Sequence, residues 1–73
     1  MTWNHRVLYH APTDKNPDEW FAIHEVYYDE NGKPTMCTKE PVEPFGESLD
    51  ELKEDMQWFL AALDKPVLNF EDF

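Results

Sequence analysis

The sequence predicts an α+β domain: a three-stranded antiparallel β-meander packed by one C-terminal amphipathic α-helix, with an extended C-terminal tail. Three observations predict it. Trp3–His10 and Glu19–Tyr28 are β-branched and aromatic segments of strand length, an Asn31-Gly32 pair follows the second of them, and Leu49–Leu63 repeats apolar residues at helical spacing. With 73 residues the chain makes a single domain, 1–73, in which roughly 60–65% of the unfolded surface is buried. Its 41% hydrophobic and 15% aromatic content is well above that of disordered chains, so a packed core is expected.

The first strand, "WNHRVLYH", places Trp3, His5, Val7 and Tyr9 on one face and Asn4, Arg6, Leu8 and His10 on the other. "APTDKNPD" (11–18) has two prolines, an asparagine and two aspartates without periodicity, the composition of a surface loop. The second strand, "EWFAIHEVYY" (19–28), is apolar on both faces, as in a strand that is central or covered twice. In "DENG", Asn31-Gly32 supplies the positive φ of a tight hairpin, as a type I′ turn or with Gly32 in a bulge. "TMCTKE" (35–40) reads as a short third strand, confined to the edge by Pro34 and Pro41, and "PVEPFGE" (41–47) as a stiff connector.

Ser48 stands three residues before Glu51 and opens the helical pattern, the spacing of a capping box. The helix is expected over 49–63, stopped by Asp64, Lys65 and Pro66. At 100° per residue, Leu49, Leu52, Met56, Phe59, Leu60 and Leu63 form one stripe that should cover the sheet. Trp58 and Ala62 fall on the other side, so Trp58 needs a cover, either "VLNF" of the tail or another molecule.

Six basic against sixteen acidic residues give a net charge of −10, of which −8 lies in residues 40–73. Such a surface repels phosphate backbones and anionic membranes, so no direct nucleic-acid or membrane partner is expected and a basic protein is. The acidic helix face with its tryptophan is the expected contact surface: Trp58, Glu51, Glu54, Asp55 and Ala62. A homodimer is the other expected partnership, since the second strand carries apolar residues on the face that a single helix leaves open. Cys37, the one cysteine, has no internal disulfide partner, and no apolar run follows a basic segment at the start, so a cytoplasmic location is expected.

Chemistry is the alternative. If His10 opposes Glu19, then His5 opposes His24, and a two-residue turn puts Cys37 beside Val26; His5, His24 and Cys37 would then suit zinc or copper. Close-spaced ligand pairs such as C-x-x-C or H-x-x-x-H are absent, so no cofactor or metal is expected. Acid–base pairs of His24 or His5 with Glu25, assisted by Tyr27 or Tyr28, lack a pocket with substrate-positioning groups. The expectation is a non-enzymatic protein-binding or regulatory module.

The segments Trp3-Asn4 with Arg6-Val7, "IHEVYYDENGKP", "EPVEPFGES" and "ALDKPVL" together resemble a small, widespread bacterial protein family of unassigned activity. That resemblance runs nearly end to end and implies a bacterial origin and a compact βββα domain, with no catalytic residues to carry over. Residues 46–52 are similar, more loosely, to the glycine turn and "S-L-D-E-L"-like helix in the sheet-plus-helix part of HicB-type antitoxins. The DNA-binding segment of those proteins and their proline-glycine-cysteine centre have no counterpart here.

Overall fold

The computed structural model describes residues 2–73. Two nine-residue strands form its frame, β1 (Thr2–His10) and β2 (Trp20–Tyr28), paired antiparallel from Thr2↔Tyr28 to His10↔Trp20. A hairpin leads to β3 (Pro34–Cys37), and helix α1 spans Leu49–Leu63. A two-residue strand, β4 (Leu68–Asn69), then lies parallel to β1 and runs into a 3-10 turn at Phe70–Asp72. The strand order is β3-β2-β1-β4. The α+β class therefore holds, and the three-stranded antiparallel meander is extended to a four-stranded mixed sheet.

Local chemistry explains the boundaries. Gly32 has φ 79°, and Asp29 closes the hairpin by accepting from the backbone N–H groups of Asn31 and Lys33, each at 2.9 Å. Asn31 keeps negative φ, so this is the bulged form of the turn, with a register irregularity between Tyr27 and Tyr28. Cys37 lies opposite Val26 as the turn length implies. β3 ends sooner than the 35–40 expected, yet the chain keeps following β2: Thr38 N–H donates to Glu25 and Val42 N–H to Ile23. Pro41 has no N–H to contribute.

The β1–β2 register differs by one residue from the expected pairing. Arg6, not His5, opposes His24, and His5 opposes Glu25. The link between the strands closes on Thr13, whose N–H donates to Asn16 O at 2.8 Å and whose hydroxyl accepts from Asn16 N–H at 3.1 Å. No two-residue hairpin signal in the sequence marks that closure. A single-residue slip exchanges the faces of a strand relative to its neighbour.

Each face of the sheet has its own cover. α1 packs on β1 through Phe59, whose ring lies 4.6 Å from that of His5, with Val7 and Ala62 also buried. On the opposite face Phe70 stacks on His10 at 4.5 Å, above fully buried Leu8, His24 and Val26. The cover of β2 is one-sided: His24 and Val26 are buried on the tail side, whereas on the helix side Phe21 is 58% exposed and Ile23 and Tyr27 are half-buried.

α1 is not seated on its apolar stripe. Phe59 and Ala62 are buried and Leu52 and Asp55 half-buried, whereas Leu49, Leu60 and Leu63 are 68%, 58% and 63% exposed. The buried side is turned by roughly 60° from the stripe's centre. Two local contacts set this rotation. Phe45 N–H donates to Asp55 Oδ2 at 2.8 Å, and Gly46 runs so close to the first turn that a Cβ there would lie 2.3 Å from Leu52 N. Ala62, whose methyl is small enough for a close approach, completes the contact side.

Candidate functional site

Ser48 caps α1 as expected, its Oγ accepting from Glu51 N–H at 3.2 Å. Glu51 reaches back one residue further than in the usual box and accepts from Glu47 N–H at 2.9 Å. Two members of the acidic face, Glu51 and Asp55, thus anchor the connector to the helix. Glu54 makes no such contact; it lines a surface depression with Gln57, Trp58 and Ala61.

Trp58 is 65% exposed, and the tail does not cover it because the tail sits on the other face of the sheet. It flanks a cleft of about 320 Å³ lined by Trp3, Asn4, His5, Asp55 and Trp58. Trp3 meets the His5 ring edge-on at 5.6 Å, both of these rings line the cleft, and His5 is backed by the buried ring of Phe59. Trp3 is a site residue that the sequence reading assigned only to a strand face. Its even spacing with His5 was the available signal; what could not be read was that the helix would bring Trp58 alongside. Ala62, expected on the outer surface beside Trp58, is fully buried, because the rotation of α1 turns it to the sheet.

His5, His24 and Cys37 do not assemble. His24 and Cys37 share the tail-covered face, while His5 lies under the helix on the other, a direct result of the register. Among the described residues no group of three His, Cys, Asp or Glu side chains is placed to hold a metal ion. Of the acid–base pairs, His5 and Glu25 are direct cross-strand partners on the helix side of the sheet, whereas the other pair is divided. His24 and Glu25 point to opposite faces, and Glu25 is held by Tyr27, whose hydroxyl donates to Oε1 at 2.7 Å. That hydrogen bond, followed by burial, pushes the Tyr27 hydroxyl above its ordinary value, the wrong direction for a base. Tyr28 faces the other way, donating to Asn4 Oδ1 at 2.7 Å and accepting from Arg6 at 2.9 Å.

The tail-covered face holds an arrangement that the sequence reading missed. His10 and His24 meet Nε2 to Nε2 at 2.9 Å, although they are not cross-strand partners. They reach toward each other along the face, with Ala22 between His24 and Trp20 on β2. His24 Nδ1 lies 3.0 Å from the Thr38 carbonyl, which can only accept, so Nδ1 carries the proton and Nε2 is left bare. His10 then donates through Nε2–H. The His10 ring is sandwiched between Trp20, at 3.7 Å and 11° from parallel, and Phe70.

No family model matches the chain, and neither the curated proteins nor the solved structures contain a significant match to it. No helix of the described residues is long and apolar enough to cross a membrane.

Proposed function

We propose that the protein is a non-enzymatic binding module that docks a basic segment of a partner protein, with one cationic side chain entering the Trp3–Trp58 cleft. The cleft carries this reading: two exposed indoles and the Asp55 carboxylate line the same depression. A lysine or arginine set against an indole face gains about 0.5–2 kcal/mol, and an adjacent carboxylate adds a charge-assisted hydrogen bond. Glu54 beside Trp58 and the net charge of −10 would draw such a segment in from a distance.

The test is titration with arginine- and lysine-containing peptides, followed by indole fluorescence and calorimetry. Binding should weaken by about tenfold in Trp58→Ala, and should also fall as salt is raised. Affinity indifferent to both Trp3→Ala and Trp58→Ala would sink the proposal.

The exposed row Leu49, Met56, Leu60 and Leu63 supports a second reading, pairing of two copies along α1. Light scattering across a concentration series should then show a dimer that Leu60→Glu dissociates. A monomer throughout would remove this reading and leave the cleft untouched.

A further inference from the structure

We propose that His10 and His24 form a two-coordinate site for a soft monovalent ion, Cu(I), with Ag(I) as its redox-inert surrogate. The donors are in place: two buried imidazoles present their Nε2 atoms to each other at 2.9 Å. His24 is already in the tautomer a ligand needs, its Nδ1–H held by the Thr38 carbonyl as outer-shell partners hold metal-bound histidines. On binding, the ion takes the Nε2 lone pairs of both rings. The proton displaced from His10 Nε2 moves to Nδ1 of the same ring, so no proton is lost and no electron is transferred.

Space and charge select the ion. Metal–nitrogen bonds of about 2.0 Å separate two nitrogens by about 4 Å in line and about 3.3 Å at a tetrahedral angle, so the rings must part by about 0.4–1 Å. The lid that has to yield is slight, since Phe70 belongs to a three-residue 3-10 turn. A cavity of about 330 Å³, lined in part by His10, Asn16, Trp20, Phe70 and Glu71, opens onto His10 and gives an entry route with a carboxylate at its side. Arg6, buried and opposite His24, holds a fixed positive charge on the same face and donates to the neutral Tyr28 hydroxyl and Pro66 carbonyl, with no carboxylate partner among the described residues. A divalent ion there would lack a third ligand among the described residues, whereas a monovalent d10 ion is satisfied by two imidazole nitrogens. This departs from the expectation of no bound ion, and it is independent of the docking cleft on the other face.

The experiment is anaerobic competition of the tag-free protein against a Cu(I) chelator, repeated with Ag(I) and Zn(II). One equivalent of Cu(I) should transfer. His24→Gln and His10→Gln should each lose more than about 100-fold in affinity, and Cys37→Ser and His5→Gln should keep it. Because the buried variants can unfold, X-ray absorption of the Cu(I)-loaded wild type is the second measure, expected to show two nitrogen neighbours at about 2.0 Å and no sulfur. No transfer, a sulfur neighbour, binding lost in Cys37→Ser, or equal retention of Zn(II) would each overturn the proposal.

Discussion

The two faces of the sheet are sealed in opposite senses. Under the tail lie the polar residues Arg6, His10 and His24 together with Leu8 and Val26, and all five are 9% exposed or less. Under the helix the core is Val7, Phe59 and Ala62, while four residues of the helix's own apolar stripe stay in solvent. The face that reads as more polar is the better covered. Depth of burial in this chain follows where the cover sits and not how apolar the segment is. Most of the polar groups on that face find partners, His10 with His24, His24 with Thr38, and the two terminal nitrogens of Arg6 with Tyr28 and Pro66, while the buried Arg6 Nε has none among the described residues.

The contrast can be broken most forcefully at Leu8, which has no exposed surface. Leu8→Ala should cost about 2–5 kcal/mol in urea denaturation, much of the stability of a domain this size; a cost below 1 kcal/mol would mean that the tail-covered face is loosely packed. Next comes Gly46→Ala, whose new methyl would press on the Leu52 backbone and cost about 1–3 kcal/mol by thermal melting. Were it as stable as the parent, the connector would not be what turns α1. Ser48→Ala should remove about 1 kcal/mol through loss of the helix cap.

Acidification is a gentler probe. Burial, and secondarily the neighbouring His24, push the His10 imidazole below its ordinary value of 6.5. The folded ion-free protein therefore binds this proton less readily than the unfolded chain does. Its contribution is fully present above the unfolded value and is lost as pH falls from there through the folded value. The urea midpoint should drop between pH 7.5 and 5.5, and less so in His10→Gln; a midpoint that rises on acidification would contradict the assignment. Smallest of all, Leu60→Ser or Leu63→Ser should change stability by less than about 0.5 kcal/mol, since both side chains already face water.

How much of this could be read from the residues depended on whether the signal was local. Ser48, Glu51 and Pro66 bracket α1 at the expected 49–63, and Gly32 fixes the β2–β3 hairpin so that Cys37 meets Val26. Long-range choices were not legible. The 11–19 link has no turn of defined length, so the β1–β2 register came out one residue away, which separated His5 from His24 and hid the His10–His24 meeting. β4 is two residues long and pairs with a strand far back in the sequence, below the reach of any periodicity. The rotation of α1 rests on Gly46, Asp55 and Ala62, which a binary pattern assigns to loop or surface. Of the candidate site, Trp58 and its acidic neighbours could be named in advance, but Trp3 could not.

Arg6 grips the carbonyl of Pro66, 60 residues later, and Leu68 lies beside Leu8. During synthesis the β1–β2 hairpin therefore emerges long before the segment that shelters it. Until Phe70 clears the ribosome, the imidazole pair and the indole of Trp20 stand open to whatever is nearby, be it a chaperone, a protease or a neighbouring nascent chain.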